Sequence, residues 1–202
     1  MCKRLIVSDG FYRAVQRDDV AVVTERIDRV EQAGVVTADG TLHELDVLVS
    51  ATGFEAHAYM RPMRVVGREG RVLDDEWGGS PRAFHTVALP GYPNLFVLIG
   101  PHSPVGNFPL TAVAEWQTEH VTAWLQRWRS GEFTTVEPTE AATERFNDQI
   151  DDAFAPTVWA SGCQSWYRDA DGLPTVWPWS PAAHRRRMRR APDYADYLFD
   201  GA

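Results

Sequence analysis

The stretch Glu44-Leu45-Asp46-Val47-Leu48-Val49-Ser50-Ala51-Thr52-Gly53-Phe54 sets an unbroken apolar run before a small-residue exit closed by glycine. An apolar run without alternation suits a strand covered on both faces, as in a parallel sheet. A tight glycine exit lets backbone approach a ligand at the C-terminal edge of an open parallel sheet, where nucleotides bind. A buried strand followed by an ordinary loop accounts for the same spacing, and spacing alone favours that plainer account. Leu95-Phe96-Val97-Leu98-Ile99 is a second run of this kind.

Upstream, the pattern is antiparallel. Val20–Val23, Ile27–Val30, Gly34–Thr37 and Leu45–Val49 read as strands, and the Asp39-Gly40 pair in Ala38-Asp39-Gly40-Thr41 favours a tight hairpin, so a small β-meander is expected. Residues 54–94 are rich in glycine and proline and read as a long excursion with one hairpin near Gly67-Arg68-Glu69-Gly70. Beyond Pro109, apolar residues recur at helical spacing from Leu110 to Trp128, stopped near Gly131. A second helix is expected from Thr139 to about Trp159, with Phe146, Ile150, Ala153 and Phe154 on one face. The remainder is aromatic and punctuated by glycine and proline. It ends in a basic run, His184 to Arg190, which reads as a solvated helix paired with the acids Asp193, Asp196 and Asp200.

With 202 residues and 44% hydrophobic content the chain can bury a sizeable core. A net charge of -8 argues against nucleic-acid binding, which needs a basic surface. Two cysteines, Cys2 and Cys163, fit a reducing compartment, and no apolar stretch has signal-peptide or membrane-spanning length, so a cytoplasmic protein without export or membrane insertion is expected. Six histidines show no metal-ligand spacing and neither cysteine has a Cys-x-x-Cys partner, so no metal is assigned.

Four stretches in register over Cys2 to Pro178 resemble the flavin-containing and Baeyer–Villiger monooxygenase family. Asp46 to Phe54 looks like its acidic, apolar, Ala-Thr-Gly-Phe signature. Cys2-Lys3-Arg4-Leu5, with Gly10-Phe11-Tyr12 and Asp19-Val20, is similar to the passage where the NADP-binding domain returns to the FAD domain. Asn94 to Ser103 resembles the last FAD-domain strand and its flavin-side loop. Cys163-Gln164-Ser165-Trp166-Tyr167, with Gly172 and Trp177-Pro178, resembles the C-terminal signature of the subgroup containing hydroxyacetophenone monooxygenases.

The resemblance implies an α/β chain: part of a doubly wound, Rossmann-like FAD/NAD(P)-binding domain, with the β-meander and an irregular C-terminal region. Residues 1–19 would end the NADP-binding domain, 20–130 would form the C-terminal part of the FAD-binding domain, and 131–202 a helical, Trp-rich extension. Ala51, Thr52 and Gly53 would lie near FAD, and Gly100, Pro101, His102 and Ser103 would line its isoalloxazine end. On the residues alone, His102 reads equally as an exposed loop imidazole. Lys3 would face the 2′-phosphate of NADPH, and Arg4 would be catalytic, because an always-protonated guanidinium can stabilise an anionic oxygen adduct of the flavin. Two adjacent charges at a chain start also read as a frayed basic terminus.

Such enzymes carry Gly-x-Gly-x-x-Gly loops for FAD and for NADPH, and neither loop occurs in this sequence. Three outcomes stay open. The chain is the C-terminal part of an enzyme oxidising ketones or aldehydes with O2, its glycine loops supplied upstream or by a partner chain; or it belongs to an N- or S-oxygenating relative; or it is a truncated, non-enzymatic remnant. Truncation would leave apolar sheet faces exposed.

Overall fold

Glycine and aspartate shape the first folded unit, which lies within Leu5–Phe54. A computed structural model describes residues 7–53, 55–106, 108–162 and 165–201. After a short helix, α1 (Phe11–Ala14), three strands, β1 (Ile27–Glu31), β2 (Gly34–Thr37) and β3 (Leu42–Glu44), pair antiparallel in the order β1-β2-β3. The expected Asp39-Gly40 turn joins β2 to β3. Gly40 has φ +86°, its N–H donates to the Thr37 carbonyl at 2.8 Å, and Asp39 accepts from the Thr37 hydroxyl at 2.6 Å. At Gly34 the strands approach so closely that a Cβ would lie 1.9 Å from the His43 carbonyl oxygen.

Two strand expectations in this unit are corrected. Val20–Val23 and Val47–Val49 form no strand, and Val47, Leu48 and Val49 are 74%, 54% and 78% exposed. A run apolar on both faces needs a neighbouring strand and a covering layer, and the described residues supply neither. The third strand of the meander is instead Leu42–Glu44, which the hairpin turn brings into register with β2.

The second unit lies within Glu55–Ala202. Val66 bridges Val72 across the hairpin expected near Gly67, and α2 (Leu73–Trp77) follows. The strand expected over Leu95–Ile99 is reduced to an isolated bridge, Ala88 to Phe96, with Leu98 48% exposed. Both long helices form. α3 (Leu110–Arg129) turns Val113 and Trp124 inward, and α4 (Glu140–Phe154) buries Phe146, Ile150 and Phe154 on the expected face. Thr139 caps α4 by accepting from the Ala142 N–H at 3.1 Å, one of the orphan donors of a helix start.

These side chains meet Phe84, Phe133, Val136 and Trp177 in the main core; a smaller cluster gathers Leu73, Ala83, Leu89, Tyr92 and Val97. The acidic tail holds an unexpected strand. β4 (Thr135–Pro138) pairs antiparallel with β5 (Tyr197–Asp200), in register from Thr135 with Asp200 to Pro138 with Tyr197.

The basic run forms α5 (Pro181–Arg189), started by Ser180, whose hydroxyl accepts from the Ala183 N–H. Its solvated character is corrected: His184 and Met188 are buried. The tail acids also find other partners, Asp196 with Arg145 at 2.7 Å and Asp200 with Arg68. Arg189 pairs instead with Glu119 of α3 at 2.9 Å. Among the described residues no helix is long and apolar enough to cross a membrane, and no group of three or more His, Cys, Asp or Glu residues could hold a metal ion.

Candidate functional site

The loop after Phe96 is wound by residues that adopt unusual backbone angles. Ile99 and His102 have φ of +53° and +61°, and facing them His85 and Thr86 have +49° and +68°. Non-glycine residues hold such angles only where their surroundings fix them, and such positions gather at functional sites. Gly100 makes the approach between the two loops feasible, since a Cβ there would stand 2.4 Å from the Thr86 carbonyl oxygen.

Gln117, projecting from the inner face of α3, ties both loops down. Its side-chain oxygen accepts from the Ile99 N–H at 2.7 Å, while its amide donates to the Ser103 hydroxyl at 2.7 Å and to the Thr86 hydroxyl at 2.9 Å. Gln117, Thr86 and Ser103 are all fully buried, so the two bonds between their side chains are made away from water, where an unmade one is expensive. Ser103 closes the turn through its N–H to the Gly100 carbonyl at 3.0 Å.

His102 is the exception in this satisfied network. Its ring is fully buried, not the exposed loop imidazole that was one of its two sequence readings, and neither Nδ1 nor Nε2 has a hydrogen-bond partner. Burial, and secondarily the charge of Arg82, pushes its pKa down to about 3, so the ring is neutral, with one donor and one acceptor nitrogen.

Of the other expected site residues, Ala51, Thr52 and Gly53 lie exposed at the end of the first unit. Gly53 has φ +88°, and a Cβ there would meet nothing within 4 Å, so this backbone is open to close approach. Lys3 and Arg4 lie outside the described residues, as do Phe54, Cys163 and Gln164. Gln117 carried a signal in the sequence: it interrupts the apolar stripe of a helix, and a polar residue there must find partners. Nothing in the sequence marks Thr86.

No protein-family model matches the chain. It is 60% identical over 188 residues, 93% of its length, to an uncharacterized monooxygenase of Mycobacterium tuberculosis. It is 36% identical over 199 residues to a Baeyer-Villiger monooxygenase of Streptomyces coelicolor, and 30% identical over 207 residues to an FAD-binding monooxygenase of Aspergillus niger. The chain spans 38%, 38% and 34% of the length of these three relatives. Its structure is similar over its whole length to 39% of the crystal structure of cyclohexanone monooxygenase from Rhodococcus sp. Phi1 bound to NADP+, with TM-score 0.87 and 30% identity. Over the length it shares with these proteins, the chain belongs to the FAD-binding and Baeyer–Villiger monooxygenase family.

Proposed function

We propose that this chain is the C-terminal part of an NADPH- and FAD-dependent monooxygenase that inserts one oxygen atom from O2 into a ketone or aldehyde. The observation that carries the reading is the likeness, over the full chain, to a cyclohexanone monooxygenase bound to NADP+. FAD, when bound, supplies the oxygen chemistry after taking hydride from NADPH. The residues present fit such a group: Ala51 to Gly53 offer open backbone, and the loop Gly100 to Ser103 holds a buried imidazole with two unpartnered nitrogens.

The roles follow from side-chain chemistry. Arg4 would supply a permanent positive charge for the oxygen that becomes negative during transfer, and Lys3 would select the phosphorylated ribose of NADPH. Gln117 keeps the Gly100 loop in one shape and so acts as a positioning residue. Residues 1–19, 20–130 and 131–202 are assigned to the end of the NADP-binding domain, the C-terminal part of the FAD-binding domain, and a Trp-rich extension. The glycine-rich loops come from residues outside this sequence, in the same polypeptide or in a partner chain, and the reducing cytoplasm suits its two cysteines.

FAD titration tests the reading, with the 202-residue chain alone and together with the segment carrying the glycine loops, followed by NADPH oxidation and product analysis on a cyclic ketone. Lactone formation supports it. Oxidation of an amine or sulfide with no lactone selects the N- or S-oxygenating relative instead, and no flavin binding under either condition selects the non-enzymatic remnant. In the complete system Arg4→Ala is expected to leave flavin reduction intact and abolish oxygenated product; retained product overturns its catalytic role.

A further inference from the structure

We propose that an arginine-lined groove between α4 and α5 binds a phosphorylated small molecule with a flat apolar body. The cavity, of about 1010 Å3, is of a size that holds a nucleotide-sized ligand. Its walls are of two kinds. Arg185, Arg186, Arg187 and Arg190 line it, and half-buried Trp179 supplies aromatic surface above a floor of the buried Trp177, Phe84 and Phe146.

The charge arrangement points to a missing anion. Two further arginines at the groove are already paired, Arg189 with Glu119 and Arg145 with Asp196. The other four have no carboxylate within ion-pair distance among the described residues. Shortage of acids is not the cause, since the chain has 28 Asp and Glu against 20 Lys and Arg. Arg190, just past the end of α5, stands near enough to Arg187 for the two like charges to act on each other, and a bound anion would relieve that repulsion.

Arg187 shows this most clearly. Its guanidinium lies half-buried 5.0 Å over the Phe146 ring, and burial with the neighbouring Arg190 charge lowers its pKa. His85, also at the groove, has a buried Nδ1 without a partner. A guanidinium fork matches phosphate oxygens two at a time. Trp179, half-buried and edge to face with the buried Trp177 at 4.8 Å, offers apolar surface that an inorganic ion alone would not use. Asp193 and Asp196 at the groove disfavour a long polyanion such as nucleic acid.

The test uses the full protein, loaded with FAD and saturated with NADP+ so that nucleotide sites of the oxygenation reaction are filled. Calorimetry with AMP, inorganic phosphate and adenosine reads the groove. AMP is expected to bind at least tenfold more tightly than phosphate or adenosine. Arg186→Gln with Arg190→Gln, both exposed positions, is expected to weaken AMP at least tenfold with a melting temperature that is unchanged or raised. AMP should also shield these arginines from phenylglyoxal. Three results overturn the proposal: no AMP binding, AMP binding untouched by the double substitution, or arginines already unreactive before AMP is added, which would show that an acidic segment of the protein itself fills the groove.

Discussion

At Gln117 one side chain satisfies three polar groups, the half-buried Ile99 N–H and the buried hydroxyls of Ser103 and Thr86. Gln117→Leu keeps the volume and removes every partner, and unsatisfied buried groups cost roughly 1–3 kcal/mol each. Partial relaxation should hold the loss to roughly 2–4 kcal/mol, read as a lower urea midpoint with an unchanged slope. A loss within experimental error would mean that the loops do not depend on Gln117. Buried histidines set a second expectation. The pKa values of His85, His102 and His184 are pushed down to about 3, 3 and 4, first by burial. An unfolded chain protonates them near their ordinary value of about 6.5, whereas the native state does not, so the unfolded state binds more protons as pH falls. Their contribution is therefore flat above about pH 7, and stability is lost from there toward pH 4. His184→Leu removes a ring whose two nitrogens have no partner, and should flatten part of that slope between pH 6.5 and 4 in urea titrations. An unaltered slope would show that His184 takes up its proton in the folded protein.

At the scale of elements, legibility followed how local each cause is. Helices α3 and α4 were readable because a 3.6-residue stripe and a threonine cap are written into neighbouring residues. The Asp39-Gly40 turn was readable for the same reason, its geometry depending on two residues. Strands at Val47–Val49 and Leu95–Ile99 depend on partners distant in sequence, and apolar runs do not say whether those partners are present. β5 hid inside an acidic tail because its pairing with β4 is fixed by residues nearly sixty or more positions away, among them Arg68, which bonds both Glu137 at 2.5 Å and Asp200. The Gly100 loop was legible as a segment, but its unusual backbone angles and its Thr86 contact were not, since they arise only when two distant loops meet. Thr139→Ala tests the local kind of cause. It removes the cap on α4 and should cost about 1 kcal/mol, within the usual range of 0.5–2. Thr139→Ser, which keeps the oxygen, should recover most of it; equal loss in both variants would assign the effect to packing.

Across the whole molecule, apolar burial is uneven, and this sets where the chain opens first. The unit within Leu5–Phe54 buries Val35 and Val36 as its apolar core, while Val22, Ile27, Val30 and Val47 to Val49 stay exposed. Folding free energy at about 25 cal/mol per Å2 of buried apolar surface cannot offset much chain entropy from two valines. The unit within Glu55–Ala202 has two aromatic and aliphatic clusters joined to long helices. Limited proteolysis of the 202-residue chain should therefore cut first within residues 16–26 and 45–53, leaving a resistant product that begins near residue 55. The same exposed valines should bind a hydrophobic dye, because so many large apolar side chains left open in one small unit call for a covering layer. Adding the part of the protein absent from this sequence should suppress both the early cuts and the dye signal if that part supplies the neighbouring strands expected beside Val47–Val49. First cleavage within α3 or α4 would place the weak region elsewhere. Unchanged cutting at 45–53 in the longer protein would mean that this segment is a loop in its own right, and that its apolar run has a purpose other than joining a sheet.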